Sequence, residues 1–276
     1  MCAVASAVKQ RVLVLGGSGF VGSHFVEGCL RRDIEVVSVS RRGKPANNLL
    51  LEQNKVQWVK GDMRRIEEME NIYEQYGPFT GVFHSIGLLF DKDSGLQSFN
   101  KYASGSNSVP ASDATYDDIT RVTAINALNI ISNKNRDGKR IPFIFVSAAE
   151  AAWTFPAPVN FLERYLIAKR AVEKAVLNSA DVRGVVLRYL CYLLTHSLTR
   201  SLTHYFRPSL IWSLERPQAL ISVIPFYIAA SINVPFVDKP VLVSTLVNAA
   251  INSMLDEETS GIKSYKEMEA LSSRRI

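Results

Sequence analysis

A run of strand-like residues, Arg11-Val-Leu-Val-Leu15, passes directly into Gly16-Gly-Ser-Gly-Phe-Val-Gly22, then into a helical stretch, Ser23 to Arg32, and a second strand, Glu35 to Ser40. Strand, glycine turn, helix and strand within about thirty residues form a βαβ unit, and few folds accommodate that order. Glycines at 16, 19 and 22 carry no Cβ, so the backbone can approach a pyrophosphate closely while the positive end of the helix faces the phosphate charge. The rival reading, glycines that only permit a tight turn, is outweighed by the strands on both sides. Gly16, Gly17, Ser18, Gly19, Phe20, Val21 and Gly22 are therefore candidate cofactor-binding residues.

The alternation continues. Strands are predicted at Val56 to Val59, Gly81 to His84, Ile141 to Ser147 and Val182 to Leu187, with helices at Arg64 to Tyr76, Asp117 to Lys134 and Leu162 to Asn178. Crossovers of this kind must pass over the sheet, so the fold class is α/β: a doubly wound parallel sheet, the Rossmann fold. Ligands in such sheets sit beyond the carboxyl ends of the strands, where the strand order reverses. Residues 1–187 read as the dinucleotide-binding domain. After Leu187 the alternation stops, and 188–276 reads as a small lobe for substrate or partner packed on it, closed by a helix from about Ser244 to Leu255. The polar stretch between Leu88 and Tyr116 has the length of an active-site loop, with no function legible in its composition.

Composition excludes several classes. With 47% hydrophobic and 21% charged residues, disorder is not the main state. Cys2, Cys29 and Cys191 are odd in number and share no C-x-x-C spacing, which argues against a disulfide scaffold or a zinc site. No metal is expected. The net charge of +6 comes from cations spread along the chain, so an anionic membrane face or a phosphate-bearing cofactor fits better than nucleic acid. The N-terminus carries no clear presequence. Ala219 to Val237 holds no charge but is interrupted by Pro225 and Pro235, which favours a buried or pocket-lining segment over a membrane-surface contact, and either over a spanning helix.

At the end of the second strand a carboxylate would bind a ribose 2′-hydroxyl. This chain has Ser38, Ser40, Arg41 and Arg42 there, and arginine can pair with a 2′-phosphate, so NADP(H) is favoured over NAD(H). Asp62, after the third strand, is placed to meet the adenine amino edge or to cap a helix. Ser85 and Gly87 follow the fourth strand, where Gly87 would admit the cofactor ribose, and His84 reads as a structural residue of the sheet. Tyr165 and Lys169 stand four residues apart, hence on one helix face, and an ammonium beside a phenol lowers its pKa toward proton exchange. Ser147, ending the fifth strand, could bond the same substrate oxygen. These three are the candidate catalytic residues.

With Gly16 to Gly22, Asp62, Ser147, Tyr165 and Lys169 in place, the chain resembles an extended or atypical short-chain dehydrogenase/reductase. More narrowly it is similar to fungal mitochondrial proteins of that superfamily associated with the coenzyme Q biosynthetic complex. The supporting stretches are Val36 to Lys44, His84 to Leu89, Tyr165 to Glu173 and Lys239 to Thr245. That group is itself similar to a plastid protein of plants and to the Rossmann-fold accessory subunit of respiratory complex I. The resemblance implies a nucleotide-binding accessory of ubiquinone biosynthesis at the matrix face of the mitochondrial inner membrane, with subunits of the coenzyme Q or respiratory complexes as partners. An active oxidoreductase on a quinone or isoprenoid intermediate is the alternative, and a structural subunit a third reading.

Three departures weigh against turnover. Ala148 and Ala149 follow Ser147 where many active members carry a second hydroxyl residue, and Thr123 stands where extended members usually place an asparagine. Val185-Val-Leu-Arg188 is separated from Pro208 by nineteen residues, Tyr189 to Arg207, in which Ser-Leu-Thr-His/Arg recurs with period four. This piece is either a genuine insertion at the rim of the site or intron sequence retained in the chain. The short repeat favours the second.

Overall fold

The computed structural model describes residues 10–44, 54–100, 110–134, 138–157, 159–189, 211–212 and 241–274. Strand β1 (Arg11–Leu15) leads through the glycine turn into helix α1 (Phe20–Leu30), followed by β2 (Glu35–Ser40), β3 (Val56–Lys60), α2 (Ile66–Tyr76) and β4 (Gly81–His84). A π-helical turn, Asp117–Val122, runs without a break into α3 (Thr123–Lys134). Then come β5 (Ile141–Ala148), α4 (Asn160–Asn178) and β6 (Val182–Tyr189). The short pair β7 (Ile211–Trp212) and β8 (Val241–Leu242) precedes α5 (Val243–Leu255), β9 (Gly261–Lys263) and α6 (Tyr265–Ser272).

The main sheet has the order β3-β2-β1-β4-β5-β6-β9, and each pairing is parallel. Chain direction across the sheet reverses between β1 and β4, so the crevice opens at the carboxyl ends of those two strands. Helices cover both faces, and β5 is buried along its whole length, as a strand with no solvent side must be. Alternate residues supply two cores. Val12, Val14, Ile144, Val146, Val185 and Leu187 face α1 and α5. Leu13, Leu15, Val82, Phe143, Phe145 and Val186 face α2, α3 and α4. Phe25 of α1 stacks on Phe83 of β4 with ring centroids 3.8 Å apart, locking α1 over the crevice edge.

The described part of the expected small lobe, 241–274, is built into these layers. β9 adds a seventh strand beside β6, and α5 packs on α1 where Gly28 leaves room: a Cβ there would stand 2.8 Å from Ile251 and Val247. Apart from Arg188, Tyr189 and Ile211–Trp212, the rest of 188–276, including the Tyr189 to Arg207 piece beyond its first residue and the uncharged 219–237 segment, lies outside the described residues. Among the described residues no helix is long and apolar enough to cross a membrane.

Arg183 ties the added elements to the sheet. Reaching from β6, it donates to the carbonyls of Ser253 (2.9 Å), Met254 (3.0 Å) and Thr259, closing the last turn of α5, where unsatisfied carbonyls concentrate negative charge. Arg183→Met keeps the stem but strands three buried carbonyls. We expect it to lower stability by about 3 kcal/mol in urea denaturation.

Candidate functional site

The glycine turn is shaped by contacts that exclude side chains. Gly16 adopts φ +92°, its N–H donates to Val39 O (2.9 Å), and its carbonyl accepts the Gly19 N–H (2.8 Å). A Cβ on Gly22 would lie 2.2 Å from that carbonyl, and one on Gly17 would lie 2.0 Å from Ser38 Oγ. Gly19 caps α1 with extended backbone and no side-chain cap, so the first-turn N–H groups of the helix are offered to whatever enters the crevice. This cradle fits the pyrophosphate of a dinucleotide.

Above it lies a cleft of about 540 Å³. It brings together Gly16, Ser18, Gly19, Ser40, Arg41, Arg42, Asp62, Ser85 and Gly87 from the sequence-predicted set. Gly17, Phe20, Val21 and Gly22 do not line it. Gly17 and Gly22 act from behind by permitting close packing, while Phe20 and Val21 pack against the core. The hydroxyls at the cleft are partly committed, Ser85 Oγ donating to Leu15 O (3.1 Å) and Ser40 Oγ accepting from Gly43 N–H (3.1 Å). Arg42 donates to Ser18 O (3.0 Å), bracing the glycine turn.

Sequence reasoning missed Arg64, Asn100 and the cleft-lining role of Thr123. Arg64 had a readable signal, its place directly after the Gly61-Asp-Met turn at the end of β3. Asp62 neither stands free nor caps α2, whose first flanking residue is Arg65. Its carboxylate is gripped by Arg64, which holds it below the usual carboxylate range. The far end of the cleft is apolar, walled by Ile86, Leu88, Leu89 and Ile119.

That wall belongs to the polar stretch after β4, which is tightly anchored in its described parts. Arg164 donates to both carboxylate oxygens of buried Asp91 (2.8 and 3.0 Å). Asn100 pairs with both backbone groups of Phe90, and Tyr116 Oη donates to Leu89 O (2.6 Å).

Tyr165, Lys169 and Ser147 do not line the cleft. All three are buried, with 3%, 4% and 0% of their surface exposed. The Tyr165 ring meets Tyr116 edge-on at 5.6 Å. Lys169 Nζ donates to Val146 O (2.8 Å) and sits 4.8 Å from the Phe145 ring and 5.6 Å from the Tyr165 ring. A Cβ on Gly87, which lines the cleft, would be 3.9 Å from that ammonium. Ser147 Oγ is buried without a hydrogen-bond partner among the described residues.

His84 is held beside this group, as a structural residue would be. Thr123 Oγ1 gives its one proton to Ile119 O (2.8 Å), so at 2.9 Å it accepts from His84 Nε2–H, leaving Nδ1 as a buried acceptor. Burial first, and the Lys169 charge second, push the His84 pKa down to about 3. Thr123 thus spends its hydroxyl within the protein, where an asparagine amide would keep donors to spare. Farther along α4, Glu173 receives both guanidinium branches of Arg188 (2.9 and 2.5 Å), fixing the end of β6. No cluster that could hold a metal occurs among the described residues.

A family model described as the NAD dependent epimerase/dehydratase family matches residues 12–196. The chain is 31% identical over 186 residues to an uncharacterised chloroplastic protein of Arabidopsis thaliana, covering 67% of this chain and 51% of that one. It is 33% identical over 95 residues to MIOREX complex component 2 of Saccharomyces cerevisiae, 33% of each chain. It therefore spans about half the length of the first relative and a third of the second. Among solved structures, the Bordetella bronchiseptica enzyme WbmG in complex with NAD shares the fold, with TM-score 0.57 and 18% identity over 94% of this chain and 73% of that one.

A Cβ on Gly19 would stand 3.1 Å from Gly16 O, close enough that the turn must give by a few tenths of an ångström, and the residue faces the cleft. Gly19→Ala is expected to cost about 1 kcal/mol of stability while weakening dinucleotide binding roughly tenfold or more, measured by calorimetric titration beside thermal unfolding. His84 generates a pH prediction. Its folded pKa lies below its unfolded value, so the unfolded chain binds the extra proton between about pH 6.5 and 3, and stability falls as pH drops through that window. Between pH 7 and pH 5 the loss from this group should be about 2 kcal/mol, and His84→Gln should flatten the stability profile by that amount.

Proposed function

The chain belongs to the NAD dependent epimerase/dehydratase family, and from that premise we propose that it is an NADP(H)-binding, reductase-like member acting as an accessory or modulator of coenzyme Q biosynthesis in mitochondria. The observation that carries the nucleotide reading is the cleft end where Arg41, Arg42 and Arg64 gather while β2 finishes in Ser40 with no carboxylate. When bound, a nicotinamide ring supplies hydride exchange. The chain's own part is to hold the pyrophosphate at the glycine turn and α1, to meet a 2′-phosphate with guanidiniums, and to admit the ribose over Gly87.

An accessory role is supported by the burial of Tyr165, Lys169 and Ser147 away from the cleft and by the committed hydroxyl of Thr123. The organellar reading draws on a plant relative described as chloroplastic and on a yeast relative described as a complex component. The coenzyme Q assignment, the matrix face of the inner membrane and partners in quinone or respiratory complexes rest on the sequence resemblance. The charge of +6 suits a peripheral contact with an anionic membrane.

One observation favours a second reading, an active oxidoreductase. Ser147 Oγ is buried without a partner among the described residues, as suits a hydroxyl that bonds a substrate oxygen. Tyr165 Oη would then exchange the proton, and the Lys169 ammonium would stabilise the phenolate. The apolar wall at Leu88, Leu89 and Ile119 suits a quinone or isoprenoid intermediate.

Titration calorimetry is expected to show NADPH binding about tenfold more tightly than NADH, and no binding of either would sink the proposal. Tyr165→Phe separates the two readings. It should leave NADPH affinity and cellular coenzyme Q levels unchanged for an accessory, whereas loss of a measured turnover would establish the enzyme.

A further inference from the structure

Most of the Asp62 carboxylate is taken up by Arg64. Its Oδ1 accepts from the Arg64 backbone N–H (3.1 Å) and from Arg64 Nε (3.0 Å), and its Oδ2 accepts from Nε (3.0 Å) and Nη2 (2.6 Å). The single Nε–H is shared between the two oxygens, so three protons fill three of the roughly four lone-pair sites. The Asp62 N–H is also committed, donating to Glu68 Oε2 (2.7 Å). An adenine amino group would find at most one acceptor site here, on a carboxylate already held by Arg64.

The same contacts make Arg64 rigid. Asn126 of α3 donates from Nδ2 to the carbonyls of Met63 and Arg64 (3.0 Å each), so the backbone is held from one side and the guanidinium from the other. The side chain is 30% exposed and lines the cleft, and its Nη1 has no partner among the described residues. Arg41 lines the same end, lies near enough to lower the Asp62 pKa, and likewise has no protein partner among the described residues. Arg42 is partly spent on Ser18 O. Three guanidiniums thus line the cleft near the end of β2, Arg64 is acted on by Asp113 and Asp118 besides Asp62, and the two with donors to spare are Arg41 and Arg64.

We propose that Arg64, together with Arg41, binds the 2′-phosphate monoester of the nucleotide and determines its specificity, with Asp62 as the positioning carboxylate that aims Arg64. This rests on the reading of the cleft as a dinucleotide site. It gives Asp62 a supporting role beside any base contact, and it places a specificity residue after β3 as well as after β2. A bidentate guanidinium on phosphate gains from being pre-aimed, because less side-chain freedom is lost on binding.

The test is calorimetric titration of the wild type, Arg64→Gln and Asp62→Asn with NADPH and with NADH, with unfolding midpoints confirming that each variant folds. Arg64→Gln should weaken NADPH roughly tenfold to hundredfold and leave NADH within about threefold. Asp62→Asn should weaken NADPH by a smaller factor, through lost aim, and again spare NADH. The proposal is overturned if Arg64→Gln leaves the NADPH to NADH ratio unchanged, if Asp62→Asn costs NADH as much as NADPH, or if Asp62→Asn affects neither. A wild type that binds neither nucleotide defeats the dinucleotide reading as well, whereas normal binding with an unmoved ratio defeats the Arg64 assignment alone.

Discussion

Everything in this chain depends on how closely α1 can approach the end of β1. The limit is the backbone contact of Gly22 with the carbonyl of Gly16, where even a methyl group would overlap at 2.2 Å. That contact seats α1 low on the sheet, lets Phe25 stack on Phe83, and turns the uncapped end of the helix toward the crevice. The same helix then receives α5 at Gly28, so the placement of the C-terminal elements is set partly from the N-terminal turn. A steric condition on two glycines thereby reaches across both layers of the fold.

The cleft is chemically divided along its length. One end gathers guanidiniums and the glycine cradle; the other is apolar. Gly87 lines the cleft as well, and a Cβ there would stand 3.9 Å from the Lys169 ammonium. The guanidinium end is built from groups facing the cleft, whereas Tyr165 and Lys169 are enclosed by Tyr116, Phe145 and Val146.

Much of the architecture was legible because parallel strands buried on both faces read as short continuous apolar runs, and β1, β2 and β4 begin and end where those runs do. That Tyr165 and Lys169 share one helix face was legible from their spacing, whereas their burial away from the cleft was not. The three-residue β9 was not, since Gly261-Ile-Lys263 is too short to show any period. Nor were the contacts that define the cleft. Asp91 and Arg164 are 73 residues apart, Asn126 reaches Arg64 across 62, and the grip between Asp62 and Arg64 depends on a turn geometry that spacing does not encode. Propensity reports the elements; the polar ties between them become visible only once the chain is folded.

The tie between Asp91 and Arg164 is unequal in a way that constrains sequence drift. The Asp91 side chain is 2% exposed and the Arg164 side chain 38%. A lineage that loses the carboxylate first leaves a cation still in touch with water, a tolerable intermediate. One that loses the arginine first strands a charge in the protein interior, and buried charges without partners are among the most damaging single changes. Replacement of this clasp therefore has a preferred order, Asp91 before Arg164, and sequences related to this one should contain many more orphaned arginines than orphaned aspartates at the pair.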